Sequence, residues 1–422
     1  MEMHAFGRLL PVATARRRLM AAARPIARTE EVPVEAAFGR VAASAIRAPV
    51  AIPPFARTTW DGYAVRSRDT ASAGPRAPVE LRIVGEVFAE QAFPGRVGAG
   101  EAVAIATGGA IPDGADAVVI FEEVEEHPDR IRLRRPVGPG ERISPPGHDF
   151  PRGARLAGRG DVLRATTLGA IAACGLARVR AYARPIVAIV PNGNELLAPG
   201  EAGAKGRIYE SNNATISAVV LAAGGVPRAT APVSDDPVAI ERALTRALAT
   251  ADLVISTGGS SVGERDYLPR ILPKFGPLLF HGIAVRAGKP TLAARAGPKL
   301  VLGMPGHPTS CLVNMYWLVL PVLRKIARLP GPGWTAIRGT LGSDAVAPTP
   351  GLATVVPLER RPDGRWYSTF RGSSVITSLA GATAFALLPP GRRVVRAGAR
   401  LPIYELDPPL GLGGLARAVP NR

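Results

Sequence analysis

Thiols are scarce in this chain: among its 422 residues only Cys174 and Cys311 carry one, both in apolar surroundings. Two cysteines by themselves build neither a disulfide framework nor a four-ligand zinc site, which suits a reducing compartment, so a cytoplasmic setting is expected. Aromatic side chains make up 5% of the sequence, and no Lys/Arg run is flanked by them. Zinc-finger spacing and nucleic-acid-binding motifs are absent as well. Acidic residues are outnumbered, 34 against 52 Lys and Arg, leaving a net charge of +18. The excess is nearly all arginine, scattered from Arg16 to Arg400, so it points to small anionic ligands, and nucleic acid is not the expected partner. No apolar run is long enough to cross a bilayer. The most apolar stretch, Thr309 to Leu323, falls short of the ~20 residues required and contains Asn314 and Pro321, so no membrane contact is expected.

What is present begins with length. The chain exceeds the ~250–300 residues at which one core usually divides, so two to four domains are expected. The N-terminal Arg16-Arg17-Arg18 superficially suggests a targeting segment, but Leu9, Val12, Leu19 and Met20 mark a helical stripe and an ordinary first helix. A short strand at Val32 to Val34 and a second helix over Glu35 to Ala42 follow. Residues from about 75 to 145 alternate in strand fashion between Gly/Pro turns, as in Val79 to Val84 and Ile131 to Arg134, which predicts a small β domain. Pro145 to Phe150 reads as a return crossing, and Thr166 to Leu176 as a helix that rejoins the N-terminal region. From Arg184 to about Leu329 strands and helices alternate, the pattern of a doubly wound sheet. Strands return after Pro330-Gly331-Pro332-Gly333, giving a second small β domain.

The stretch Leu253 to Tyr267 is the centre of this arrangement. Leu253-Val254-Ile255-Ser256 is a short β-branched run suited to a strand buried on both faces. It stops at Gly258-Gly259, where the backbone can approach a ligand, while Thr257, Ser260 and Ser261 offer hydroxyls and N–H groups to an oxyanion. An ordinary strand-to-helix turn reads equally well from one Gly-Gly pair alone.

Ligands of open α/β sheets sit at the carboxyl ends of the strands, and right-handed crossovers put those ends on one edge. Glu195, Asp235, Asp236, Ser260, Asp266, Lys289 and the Gly303 to His307 loop are therefore expected to converge. Taken singly, Asp235 or Asp236 is a helix cap and Lys289 a solvated turn residue. Several carboxylates facing oxyanion loops repel one another without a cation, so Mg²⁺ held by Asp236 and Asp266 is the expected cofactor. Upstream, Asp61 lies between Trp60 and Tyr63, either as a turn former or as a site residue. Thr107, in Thr107-Gly108-Gly109, either contacts phosphate or closes its turn.

Six motifs in order then carry a resemblance. Asp61-Gly62-Tyr63-Ala64-Val65, Thr107-Gly108-Gly109 with Pro112-x-Gly114, Ile208 to Asn212, Ser256 to Tyr267, Gly288-Lys289-Pro290 and Gly303-Met304-Pro305-Gly306-x-Pro308 resemble the MoeA and gephyrin E-domain family. Those proteins are molybdopterin molybdenumtransferases. The resemblance runs from about residue 5 to 405. It implies four domains: 1–52 with 146–183 as a discontinuous N-terminal α/β linker domain, 53–145 as a small β-rich domain, 184–330 as a MogA-like doubly wound domain, and 331–410 as a C-terminal β-barrel-like domain. It implies an elongated homodimer with residues of both subunits in the active site. The implied reaction joins molybdate to adenylylated molybdopterin, giving molybdenum cofactor and AMP with a divalent cation. The adenylyltransferase that supplies the substrate and the apo-molybdoenzymes that accept the product are the possible protein partners. Matched position by position, the family's functional acids fall on Asp61, Asp149, Glu195, Asp236 and Asp266, and its functional threonine on Thr107.

The chemistry read from the residues agrees. A tetrahedral dianion calls for hydroxyls, N–H groups and cations, which the Thr257, Gly258, Gly259, Ser260, Ser261 loop, Arg286 and Lys289 supply. Displacing oxygens from molybdenum by the substrate's dithiolene needs proton donors, for which Glu195 and Asp149 are candidates. Pro305, Gly306, His307 and Pro308 form the adjoining loop, and Ser373 follows a glycine at the place of the family's Gly-Ser loop.

The chain also departs from the pattern. Pro191-Asn192-Gly193-Asn194-Glu195-Leu196 stands where the family has Ser-Thr-Gly-Asp-Glu-Leu, so one carboxylate is the neutral Asn194. Ser144-Pro145-Pro146 replaces an arginine-rich run, His307 replaces an asparagine, and Ala56-Arg57 replace Asp-Asn; Arg286-Ala287 is a milder change from Lys-Pro. Loss of phosphate-binding guanidinium groups leaves a second reading, a non-catalytic molybdopterin-binding or scaffolding paralogue. His148 and His307 are capping or packing residues unless they have gained ligand or acid–base roles.

Overall fold

The computed structural model describes residues 9–261, 266–346, 351–372, 374–378, 381–391 and 394–405. Residues 9–30 and 182–405 pack as one unit, and Glu31–Ala181 as another.

The first unit is built on a six-stranded sheet in the order Val226–Ala229, Ile186–Pro191, Leu253–Thr257, Lys299–Met304, Leu292–Ala296, Leu278–His281. The first four strands are mutually parallel, and the last two run as antiparallel additions. All five residues of Leu253–Thr257 are buried, as its unbroken apolar run requires of a central strand. Alternation along the strands divides the side chains between two cores. Val187, Ile189, Leu253, Ile255, Leu300 and Leu302 face one side; Ala188, Val190, Val254 and Val301 face the other.

Helices cover both faces. Pro237–Thr250 buries Ile240, Leu244 and Ala247 on one side, and its start is fixed by Asp236, whose carboxylate accepts from the Ala239 N–H at 2.8 Å with Pro237 in the first turn. On the other side lie Asn212–Ala222 and the segment 308–326. That last segment opens into a π turn over Met315–Val319 before Leu320–Ile326. A widened turn is a way to seat Pro321, which has no N–H to give to an α-helical carbonyl.

The Val12–Ala22 helix belongs to this same core. Val12, Ala15 and Leu19 are buried with Val187, Leu253 and Leu323. The sheet face completes its apolar stripe, and residues 9–30 pack with residues 182–405. Arg16 lies over the stacked Trp317 and Trp334 rings, 5.7 and 5.5 Å from their centroids, and Tyr404 meets Trp317 edge-on. A C-terminal sheet runs Val285–Arg286, Ala353–Arg360, Ala384–Leu388, Arg400–Glu405, Ala336–Thr340, so the two-residue Val285–Arg286 strand links it to the α/β layer.

The Glu31–Ala181 unit holds a second six-stranded sheet, ordered Ala117–Ile120, Gly62–Val65, Glu101–Ile105, Val79–Val87, Arg130–Leu133, Val124–Glu126. The expected helix over Glu35 to Ala42 is a single 3-10 turn at Val34–Ala36. Gly39, at φ +72°, turns the chain, and Val41 and Ala42 bridge to Val162 and Ala181 instead. No helix among the described residues is long and apolar enough to cross a membrane.

Asp252 fastens residue 28 to the sheet. Its carboxylate takes both Arg28 guanidinium nitrogens at 2.7 and 2.9 Å and the Ile186 N–H at 2.8 Å. Burial opposes its ionisation, but these partners outweigh burial and hold the carboxyl below its usual range. A depressed carboxyl stabilises the fold above the unfolded value and loses that contribution as pH falls through the folded one. Asp252→Ala should lower unfolding free energy at neutral pH by about 1–2 kcal/mol, given that Arg28 is half exposed. In urea titrations the parent should lose this increment below about pH 4, and the variant should not.

Candidate active site

Parallel register puts the carboxyl ends of four strands side by side: Thr257 stands opposite Pro191 on one flank and Met304 on the other. The loops that leave them are knitted by backbone bonds, Asn192 N to Thr257 O at 2.8 Å, Gly193 N to Val233 O at 3.0 Å and Gly258 N to Met304 O at 3.2 Å. Gly258 has φ +86°, and a Cβ there would lie 2.3 Å from the Asn192 carbonyl oxygen. Only glycine makes this turn. Thr257 and Ser260 are buried beneath it, and Gly306 on the neighbouring loop packs against Gly258.

The acids expected here leave that same edge. Glu195 is exposed, with its carboxylate folded over Gly193. Asp236 is exposed and caps its helix. Asp235 and Asn194 hold each other: the Asn194 N–H donates to Asp235 Oδ2 at 3.2 Å, and the Asp235 N–H to Asn194 Oδ1 at 3.1 Å. Asp266 follows the central strand and faces His281. Among the described residues no group of three or more His, Cys, Asp or Glu side chains is placed to hold a metal ion. Mg²⁺ needs no such cage, since it binds through one or two carboxylates with ligand phosphate and water, and Asp236 and Asp266 are hard oxygen donors of that kind.

Beside the edge lies a cavity of about 250 Å³ lined by Arg286, Lys289, Pro290, Pro305, His307 and Ser310. Arg286, Lys289 and His307 are exposed to it and Ser310 is buried. Pro308 opens the helix behind the cavity, and the hydroxyl of Thr309 donates to Val375 O at 3.2 Å. Ser373 lies outside the described residues.

Asp61, Thr107 and Asp149 belong to the Glu31–Ala181 unit. There the Asp61 carboxylate accepts from the Thr107 N–H at 2.7 Å, and Arg57 reaches Asp149 at 3.7 Å, with His148 on the other carboxylate oxygen at 3.4 Å. The 57–61 segment is pinned on both sides, Thr58 N to Gly109 O and Thr59 N to Arg142 O. Arg57, a departure from the family pattern, thus supplies a cation to one of the family's acids.

Sequence reasoning passed over several residues. His281 ends an edge strand that reaches the central strands through two successive antiparallel pairings, which return it to their direction, so it stands on the same carboxyl edge. Burial lowers its pKa, against the Ser260 and Ser261 carbonyls and Asp266, which raise it. Asn192, Asn212 and Asn314 were also missed, as was Glu210, which accepts from the Asn212 and Asn213 N–H groups at 2.8 and 2.9 Å and so caps the Asn212–Ala222 helix. For His281 the strand-end position was the available signal, and for Glu210 and Asn212 their place in the Ile208 to Asn212 motif; for Asn192 and Asn314 there was none.

A glycine-built carboxyl edge, flanked by a cavity with cationic side chains, marks an α/β protein of the doubly wound class, whose ligands sit at the strand ends. Comparisons specify it further. Residues 10–175 match the MoeA N-terminal region (domain I and II), and residues 188–325 match a probable molybdopterin binding domain. The chain is 33% identical over 378 residues to the molybdopterin molybdenumtransferase of Bacillus subtilis, covering 88% of each. It is 30% identical over 388 residues to that of a Nostoc species, covering 90% of this chain and 89% of the relative. The crystal structure of a molybdopterin biosynthesis MoeA protein from Pyrococcus horikoshii superposes with a TM-score of 0.82 at 30% identity, over 95% of this chain and 100% of that one. The chain belongs to the MoeA family of molybdopterin molybdenumtransferases, as its motifs implied.

Glu210 generates a pH prediction. Burial raises its pKa, and the two N–H groups only partly offset that. A carboxyl raised on folding stabilises fully below its unfolded value and loses that contribution as pH rises through the folded one. Stability should therefore decline from about pH 4.3 upward through the folded pKa. Glu210→Gln should flatten that decline in urea midpoints measured across the acid-to-neutral range.

Proposed function

We propose that this chain joins molybdate to adenylylated molybdopterin, releasing AMP and molybdenum cofactor. The observation that carries the reading is the cationic cavity beside the Gly258 turn, in a chain of this family. Molybdate is a tetrahedral dianion. Arg286, Lys289 and His307 match its charge, and the Ser310, Thr257 and Ser260 hydroxyls and loop N–H groups match its oxygens. The pterin lies along the Asn192 to Glu195 and Gly306 loops with its dithiolene toward the anion.

Each oxygen displaced from molybdenum by a substrate sulfur leaves as water, taking up two protons. The thiols supply part of these, and His307 and Glu195 pass the rest from solvent at the rim. Release of AMP adds one water across the pyrophosphate, splitting one phosphoanhydride bond into two phosphates. Asp236 and Asp266 would hold a divalent cation, which supplies charge neutralisation for those phosphate oxygens. Asp61, Thr107 and Asp149 complete the site in a homodimer, with residues of both subunits contributing. Two buried, unpaired cysteines support action in the cytoplasm.

The second reading, a non-catalytic pterin-binding paralogue, is favoured by Asn194, whose amide is engaged with Asp235. Mixing the purified protein with adenylylated molybdopterin, molybdate and Mg²⁺ separates the two. AMP release together with activation of an apo-molybdoenzyme supports transfer; pterin retention without AMP supports the alternative. Within the transfer reading, Asp266→Asn should reduce turnover by about tenfold or more with little change in stability, as expected when a cation-holding charge is lost. Parental activity in that variant would assign Asp266 a structural role.

A further inference from the structure

Three buried asparagines do the same thing in three different loops. Asn314 donates its Nδ2 to the Gly288 carbonyl at 2.9 Å and to Thr291 Oγ1 at 2.7 Å. Asn212 donates to the Gly306 carbonyl at 2.9 Å. Asn192 donates to Ser256 Oγ at 2.9 Å and, at 3.4 Å, to the Gly258 carbonyl. Their relative exposures are 0%, 5% and 3%, so each amide is sunk in the protein interior. Gly258, Gly288 and Gly306 are the glycines of the three loops that meet at the carboxyl edge and the cationic cavity.

The amide orientations follow from the network. Carbonyl oxygens only accept. The Thr291 hydroxyl spends its proton on Gly288 O at 2.8 Å, and the Ser256 hydroxyl spends its own on Val190 O at 3.0 Å. Both hydroxyls must therefore accept from the asparagine beside them, so every amide turns its NH₂ toward the glycine. The opposite end of each amide has no protein donor: Oδ1 of Asn192, Asn212 and Asn314 is buried without a hydrogen-bond partner. A buried acceptor left unsatisfied is costly, so the useful end of these residues is the one on the glycine carbonyl. The fit is close. A Cβ on Gly288 would lie 2.2 Å from Asn314 Nδ2, so the backbone has come as near the amide as glycine allows.

A glycine-rich anion loop has an inherent defect, because every N–H it offers comes with a carbonyl oxygen that repels a dianion. Capture of that oxygen by a buried donor turns its lone pairs inward. We propose that Asn192, Asn212 and Asn314 are positioning residues for the oxyanion: they withdraw the Gly258, Gly306 and Gly288 carbonyls so that the anion meets only N–H, hydroxyl and cationic groups. The inference rests on the molybdate reading of the cavity. It assigns the three amides to anion affinity and leaves the chemical step to other residues.

The test uses full-length protein and measures the molybdate KM and kcat for AMP release, with thermal melting as a folding check. Asn314→Asp and Asn212→Asp keep side-chain volume but replace the donor by an acceptor, and each should raise molybdate KM by about tenfold or more while kcat at saturating molybdate changes by less than about threefold. Asn314→Ala and Asn212→Ala, which add no charge, serve where an Asp variant does not fold; they should show the same KM-selective loss and weaker molybdate retention in equilibrium dialysis. Asn213→Ala is the control, because Asn213 donates to the Thr230 carbonyl at 3.0 Å and touches no glycine of these loops; its KM should match the parent. Folded Asp and Ala variants with parental KM would overturn the inference, as would KM and kcat effects that merely follow the folded fraction. A parent that neither retains molybdate nor releases AMP in its presence would sink the molybdate reading itself, a result distinguishable from parental behaviour in the variants.

Discussion

At the turn after the central strand there is no space for a side chain. A Cβ at Gly258 would overlap the Asn192 carbonyl oxygen, and the turn's φ of +86° already disfavours any other residue. From this exclusion the rest of the edge follows. The backbone comes close enough for Gly258 N to bond Met304 O and for Asn192 N to bond Thr257 O. The loops leaving three parallel strands are thereby held in one fixed relation. A side chain at Gly258 would separate those loops.

The excess positive charge falls into two kinds. In the Glu31–Ala181 unit, arginines are matched to acids: Arg132 with Glu80, Arg134 with Glu125, Arg135 and Arg142 with Glu123 and Glu141. Pairs this exposed contribute little individually to stability. At the cavity, Arg286 at the end of its two-residue strand and Lys289 on the following loop bring two cationic side chains together beside His307. Net charge alone therefore said less about the ligand than the placement of three residues.

Much of the scaffold was legible because its signals are local. The β-branched run ending in Gly-Gly announced the Leu253–Thr257 strand, and Ser234-Asp235-Asp236-Pro237 announced a capped helix. What escaped depends on distant partners. The Val285–Arg286 strand exists because residues 353–354 lie beside it, and nothing within two residues advertises that. The helix expected over Glu35 to Ala42 lost to long-range pairing of Val41 and Ala42. The roles of Asn192, Asn212 and Asn314 required knowing which carbonyl each amide would meet across the fold, from 26 to 94 residues away.

The scarcity of thiols has a consequence at the level of the metal. Cys174 and Cys311 are both buried, and at Cys311 complete burial, with the Glu210 carboxylate adding to it, pushes the thiol well above the usual range. A buried, protonated Cys311 is neither a nucleophile nor a metal ligand at neutral pH. With both cysteines buried, the polypeptide offers no exposed thiol that would bind a soft metal ion or form a mixed disulfide with another molecule.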